Sequence, residues 1–444
     1  MNNVCSYSIQ LLCHKPGVAD PIFITLMNED VKEIKDLACL GLRHEKQIEL
    51  LQKVQDEILK IQSPHICNET QTCPKCSSKL QRKGYKKSEF SSVFTDHKVP
   101  VPQKRCPNCK WQHTPTIRSE FGTSMHPDLA KLQCEIGAEH SYRSAQKILD
   151  LQSFKPRRVN NHERILQVVH SVGENITKTK LLESTEEVEP AQELIMQIDG
   201  GHIKDKSPDN RSFEAMASVV YKQENIEYSE KGSRGKLISK HCAASALSDK
   251  QSYMFNSTLV AAKKEGLHKD TWVTAICDGA SNCWAIVEKL SPYCRGITKI
   301  LDWFHISMKF QNISLSTLDK IILEKARRHL WRGNTEFALV RLSQLVKNLN
   351  NIKLIKKVRK LIAYITNNKA NIVDYRQRKN KGLVFTSHLA GSTVESLINQ
   401  RCKGKQHMRW TRDGAHLILQ IRAFIASNDW ATDWQNKVHG AMGI

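Results

Sequence analysis

The sequence predicts an α/β protein: a sheet-based core carrying an all-helical insertion, preceded by a cysteine-rich module and a helical region. Three observations predict it. Between 193 and 302, short apolar runs that suit strands alternate with helical patterns. From 303 to about 380 the pattern is helical throughout. Ahead of both stand two C-P-x-C pairs and then three short helical stretches. The expected divisions are 1–66 (N-terminal helical region), 67–125 (zinc-ribbon-like module), 126–185 (helix-turn-helix-like region), 190–313 (first part of the core), 314–382 (basic insertion) and 383–444 (last part of the core).

The first stretch, 1–28, mixes short apolar runs with turns and specifies little. Residues 29–62 read as one long helix. Val31, Ile34 and Leu37 open an apolar face that Leu51, Val54, Ile58 and Ile61 continue at spacings of three and four. Such a face packs on its own protein or forms a self-association seam.

Cys73-Pro-Lys-Cys76 and Cys106-Pro-Asn-Cys109 follow. Two residues between paired cysteines let both sulfurs reach one ion, and four thiolates suit tetrahedral zinc. Residues 77–105 separate the pairs, and "SSVFTDHKVPV" within them is strand-like, so a hairpin fits. The segment is strongly basic, with Glu89 and Asp96 as its only acids. Lys83, Lys86 and Lys87 are therefore candidates for phosphate contact.

Residues 126–175 read as three short helices with breaks near His140 and at "SFKPRRVNNH". Ala145, Ile148 and Leu149 can pack on Ile165, Leu166, Val168 and Val169. Helix, basic turn, helix suits a helix-turn-helix, with Arg157 and Arg158 toward DNA. A plain helical connector has the same pattern.

In the core, "ELIMQID", "FEAMASVVYK", "LISKHCAASAL", "WVTAICD" and "GITKILD" read as strands, and "STLVAAKKEG" and "ASNCWAIVEKL" as helices. Asp199 and Asp278 each close a strand and precede glycine. Parallel neighbours would bring both carboxylates to one edge, where they could hold Mg²⁺. Gly279 and Ala280 would leave room there for DNA. A two-metal site needs a third acid, and Glu395 in "GSTVESLINQR" opens a later helix. Each acid has an ordinary reading: Asp-Gly is a turn, and Ser392-x-x-Glu395 is a capping box. Asp302 and His305, in "LDWFH", could ligate or position a metal, or cap a helix. "GAHLILQIRAFIA" reads as the last helix.

The totals fit an acid site working on a polyanion. The chain has 444 residues, with 67 Lys+Arg against 45 Asp+Glu and a formal net charge of +22. That excess favours nucleic acid as partner over a membrane surface. No apolar run reaches the roughly 18 residues of a spanning helix, and the first 20 residues make a poor signal peptide. A soluble, intracellular protein is expected, in which the 14 cysteines are thiols or metal ligands. The insertion 314–382 alone holds 17 Lys/Arg against four acids. Lys356, Lys357, Arg359 and Lys360 on it are candidates for backbone contact.

The blocks "QIDGGHIK", "CDGASNCW", "LDWFHISMKFQ" and "GSTVESLINQRCKGKQHMRW…GAHLILQIRA", in that order, resemble the DDE transposases of bacterial insertion sequences related to the Mutator-like group. The likeness covers roughly 190–425, and the block with Glu395, Asn399, Gln400, Arg401 and Trp410 is its most specific part. It implies an RNase H-like mixed-sheet core with a helical insertion before the last acid. It implies Asp199, Asp278 and Glu395 as catalytic acids on Mg²⁺ (or Mn²⁺), with Asp302 and His305 matching an accessory element and Arg401 placed for phosphate. The implied partners are double-stranded element ends and target DNA, engaged as a homodimer or higher assembly at a bacterial nucleoid. An RNase H-like nuclease or resolvase that cuts without joining is the alternative enzyme. A domesticated zinc regulator that only binds DNA is the alternative from another class.

Overall fold

The computed structural model describes residues 5–14, 17, 20–31, 36–66, 70–114, 123, 125–182, 188–228, 235–387, 395–403 and 408–442. The chain divides into two compact units, Met1–Val172 with Lys437–Ile444, and Gly173–Asn436.

The first unit begins with strands, not helix. β1 (Cys5–Cys13) and β2 (Ile22–Val31) form an antiparallel hairpin with a bulge at Ile9/Gln10. The β-branched and aromatic run "IFITLM" suits a strand. The 29–62 helix is correspondingly shorter. Val31 ends β2, Leu37 lies in an exposed 3-10 turn, and Ile34 falls outside the described residues. The helix itself, α1 (His44–Gln62), buries Ile48, half-buries Val54 and Ile58, and leaves Leu51 and Ile61 exposed. It packs on β2 and on a following strand.

That strand belongs to a two-stranded ribbon, β3 (Gln81–Ser91) with β4 (Asp96–Arg105), to which β5 (Gln112–His113) adds a short third strand. β4 alternates: His97, Val99 and Val101 are buried while Asp96 and Lys98 are exposed. Pro100 and Pro102, two apart, sit on the edge facing away from β3, because a ladder in register cannot use a residue without N–H as donor. The turn that closes the ribbon is tied down at several points. His97 Nε2 is 2.7 Å from Thr95 Oγ1 and 3.1 Å from Ser92 Oγ, and its Nδ1 is 2.7 Å from Asp56 Oδ1 on α1.

α2 (Pro127–Glu139), α3 (Tyr142–Gln152) and α4 (His162–Thr179) follow, with breaks at His140 and over 153–161 as the sequence predicts. Ala145, Leu149, Ile165, Val168 and Val169 are buried, whereas Leu166 is exposed. Arg157 corrects the reading of the basic turn. It is 4% exposed, and its guanidinium donates to the carbonyls of Ser92, Val93 and Thr95 and to the Asp96 carboxylate. Buried on these acceptors, it is not presented to a phosphate. Arg158 beside it is exposed.

The second unit is built on a five-stranded mixed sheet. Its elements are β6 (Glu193–Lys204), β7 (Ser212–Tyr221), the small hairpin β8 (Ile226–Tyr228) and β9 (Gly235–Leu237), β10 (His241–Ser245), α5 (Ser252–Lys264), β11 (Trp272–Cys277), α6 (Ser281–Lys289) and β12 (Gly296–Leu301). The strand order is β10-β7-β6-β11-β12, antiparallel from β10 to β6 and parallel from β6 to β12. Leu194, Met196, Ile198, Val273 and Ala275 form a core with Met254 and Ala261 of α5 and Trp284 and Ile286 of α6. Helices α7 (Trp303–Gln311), α8 (Thr317–Trp331), α9 (Thr335–Asn348), α10 (Ile352–Asn367) and α11 (Tyr375–Asn380) make the insertion. A π-helical turn, Glu395–Asn399, leads into α12 (Gln400–Cys402), then α13 (Arg412–Ala426). α13 is not the last helix: Asn428, at φ +58°, turns the chain into α14 (Asp429–Met442).

Candidate active site

The sheet register sets the site. β11 runs beside β6 with Cys277 opposite Ile198, and beside β12 with Cys277 opposite Leu301. The next residue on each strand is therefore an acid, and Asp199, Asp278 and Asp302 stand in one row across three parallel strands. They line a narrow cleft together with His305 and Ser387. Contrary to the expectation from its glycines, Asp199 does not end its strand. Gly200 and Gly201 continue β6 in ladder with Met216 and Ala215 of β7, and only the pairing with β11 stops there.

Each acid has a distinct set of partners. Asp199 accepts from the Gly200 N–H at 2.8 Å, and its Oδ2 lies 3.7 Å from His305 Nε2. Burial raises its pKa above the usual carboxylate range; His305 opposes that rise, while Asp278 and Asp302 add to it. Asp278 accepts from the Ala280 N–H at 2.8 Å. Asp302 is 2% exposed and committed to structure. It caps α7 through Phe304 N at 2.9 Å and accepts from both N–H and hydroxyl of Ser387, at 3.1 and 2.5 Å. His305 Nε2, 3.8 Å from Asp302 Oδ2, bridges the first and third acids.

The space beside Gly279 is not open for DNA. Gly279 has φ +96°, and a Cβ there would come within 2.9 Å of the Asn368 amide and of Leu301 Cδ1. Asn368 caps α10 and accepts from Trp284 Nε1 at 3.2 Å. Tyr364 of the same helix donates to the Asp278 carbonyl, and Tyr375 of α11 donates to the Leu301 carbonyl, both at 2.7 Å. The sequence offers no signal for these contacts, because a tyrosine in a basic helix reads as packing.

Glu395 lies apart from the cleft lining. Its side chain is exposed and accepts from Asn399 Nδ2 at 2.9 Å, one turn along. The Ser392 capping partner falls outside the described residues. The π-helical turn packs on β6, β7 and α13. Arg422 of α13 holds it by donating to the carbonyls of Leu397 and Ser396, at 2.8 and 2.5 Å. Lys403 connects the two regions electrostatically. Burial lowers its pKa, while the charges of Glu395 and then Asp199 pull it up. Neither Arg422 nor Lys403 stands out in the sequence.

Arg401 is wholly buried, with its guanidinium 4.8 Å from the Trp410 ring centroid and Nη1 3.0 Å from Met408 Sδ. It anchors the segment after the π-helical turn and is not presented to a phosphate, contrary to expectation. Lys356, Lys357, Arg359 and Lys360 are exposed on α10, whose other side buries Val358, Leu361 and Ile365. Lys357 donates to the Asn312 carbonyl at 3.1 Å.

The four cysteines of the first unit converge. Cys73 and Cys109 sulfurs are 3.4 Å apart, as are those of Cys76 and Cys106, and all four lie within 4.8 Å of one another. The two knuckles are alike: each ends in a left-handed residue, Ser77 at φ +55° and Lys110 at φ +61°. Hydrogen bonds with Ser78 lower the Cys76 thiol to about 6. The set can hold a structural metal ion such as zinc. Among the described residues, no three acids or histidines bring ligand atoms equally close together. The same residues include no helix long and apolar enough to cross a membrane.

No curated protein matches the chain. Residues 123–437, more than half of the sequence, match the model of an uncharacterised protein family, UPF0236. The chain therefore belongs to the family UPF0236, whose match spans the helices α2–α4 and the whole acid-bearing sheet.

Proposed function

We infer that this chain is a DDE-type transposase that cuts DNA at element ends and joins it to a target. The observation that carries the reading is the row of Asp199 and Asp278 on adjacent parallel strands, in a sheet ordered β10-β7-β6-β11-β12. Three antiparallel strands followed by two parallel ones, with acids where the parallel pairing ends, is the arrangement an RNase H-like core needs. A basic helical insertion follows β12, and Glu395 comes after it on a turn packed against β6.

The donor set suits Mg²⁺, since carboxylate oxygens are its preferred protein ligands. Burial raises the Asp199 pKa, with the charges of Asp278 and Asp302 adding to it, and a bound cation would favour the ionised carboxylates against both. Asp199, Asp278 and Glu395 would hold the ion. When bound, Mg²⁺ supplies charge neutralisation and activates the attacking oxygen in an in-line displacement at phosphorus. The protein's own share is placement. The sheet fixes two acids, Tyr364 holds the main chain of one, and His305 spans Asp199 and Asp302. The exposed lysines of α10 supply positive charge for the DNA backbone. In the zinc module, the four thiolates would fix the base of the β3–β4 ribbon.

Purified protein mixed with DNA carrying the ends of its own element and Mg²⁺ tests the reading. Joined products support transposase. Cleavage without joining supports the nuclease alternative, and binding without either supports a DNA-binding regulator.

A further inference from the structure

We propose that the face of the β3–β4 ribbon turned away from α1 is the docking surface for duplex DNA. This deepens the transposase reading and rests on it for the choice of polyanion. Opposed residues in an antiparallel pair share a face. His97, Val99 and Val101 define the face toward α1, where His97 meets Asp56. The register then puts Arg82, Tyr85 and Lys87 of β3 with Lys98 and Lys104 of β4 on the other face. Two acids share it: Glu89, opposite Lys98, and Asp96 at the turn end, opposite Ser91, whose carboxylate is already paired with Arg157.

The surface is prepared rather than incidental. Tyr85 is 50% exposed, and the Arg82 guanidinium stacks on its ring at 4.5 Å, which holds a planar cation and an aromatic face together in water. A bulge at Lys83, followed by Gly84 at φ +142°, lets Arg82 reach that ring. Both ends of the ribbon are fixed. The four cysteines close its base, and Arg157 and His97 lock its turn. Eleven residues of β3 span about 36 Å, close to one turn of B-DNA, and a two-stranded ribbon fits the major groove. The rival element, the turn between α3 and α4, has given its Arg157 to this lock.

The experiment is fluorescence anisotropy of the full chain on a labelled duplex of about 40 base pairs and arbitrary sequence, titrated across NaCl concentrations. Arg82→Glu/Lys87→Glu should weaken binding about tenfold or more and lower the log–log salt slope by about two. Tyr85→Ala should weaken binding severalfold at unchanged slope, and Tyr85→Phe should restore it. An unchanged Kd and slope in the double variant, with native zinc content and thermal midpoint, overturns the proposal. If the double variant does not fold, Arg82→Gln/Lys87→Gln carries the same prediction with the same opposite outcome. Asp199→Asn keeps the two readings separable. Ribbon-dependent binding by a protein that never cuts leaves the docking surface standing. Cutting by a protein whose binding ignores the ribbon overturns the docking surface alone.

Discussion

The Tyr364 hydroxyl donates to the main-chain carbonyl of Asp278 at 2.7 Å. A helix of the insertion thus holds the backbone of a candidate catalytic acid. Lys309 lies over the same ring, 4.2 Å from its centroid. Tyr364→Phe keeps the ring and removes the bond, at a cost of about 1 kcal/mol in stability. The prediction is a severalfold lower cleavage rate, a higher Mg²⁺ concentration for half-maximal rate, and unchanged DNA affinity. A Mg²⁺ titration of initial rates checks it; a variant with wild-type Mg²⁺ dependence would show that the contact only packs.

The third acid has two claimants. Asp302 lies in the row but spends its oxygens on Phe304 and Ser387. Glu395 lies outside the cleft lining, is exposed, and accepts from Asn399 one turn along. Glu395→Gln is predicted to abolish cleavage as fully as Asp199→Asn or Asp278→Asn. Asp302→Asn should reduce activity and cost about 1 kcal/mol through the weakened cap. Single-turnover cleavage with thermal melts separates them. An active Glu395→Gln beside a dead but folded Asp302→Asn assigns the role to Asp302.

Metal analysis of freshly purified protein should find about one zinc per chain, and Cys106→Ser should lose it. Cys106 is fully buried, so its loss also opens the module's small core with Cys73 and Leu80. Full zinc retention in the variant would reject the four-cysteine site.

His241 gives the second unit a pH-dependent tie. Its Nδ1 meets Glu265 at 2.7 Å and its Nε2 meets Asp429 of α14 at 3.4 Å. Burial lowers its pKa, but hydrogen bonds to Asp429 and Glu265 outweigh burial and raise it to about 9. A raised folded-state pKa means the stabilisation is complete below the unfolded value near 6.5 and disappears as pH rises through about 9. The loss across that window is at most about 3 kcal/mol. Thermal midpoints of wild type should fall from pH 6.5 to 9.5, and those of His241→Gln should fall less.

Arg157→Ala should destabilise the first unit by about 3 kcal/mol, since it leaves three turn carbonyls and the Asp96 carboxylate without their shared donor. Denaturant melts of the full chain report it as an early transition.

The strands and helices of the second unit were legible because their periods are clean and their turns are marked by glycine. "WVTAICD" and "GITKILD" fold as read, to within a residue. Register was not legible from local pattern. Asp199 and Asp278 could be paired only as a guess about parallel neighbours, and Asp302 joins their row through a long-range match of Leu301 with Cys277. Residue role misled where charge stood for exposure. Arg157 and Arg401 look like phosphate ligands in sequence, but a guanidinium has five donors and serves equally well to fasten buried carbonyls or to stack on tryptophan. The N-terminal hairpin was hidden because apolar residues three apart can arise in a strand and a following turn by coincidence.

Pro100 and Pro102 have a consequence for handling the protein. They strip two donors from the outer edge of β4, where β5 reaches only Lys104 and Arg105. A third strand from another molecule would find no ladder to extend there, so the ribbon resists edge-to-edge aggregation at high concentration. Replacing both prolines with threonine would leave the ribbon's own ladder intact, yet restore two donors to that edge and give another molecule's strand a ladder to extend.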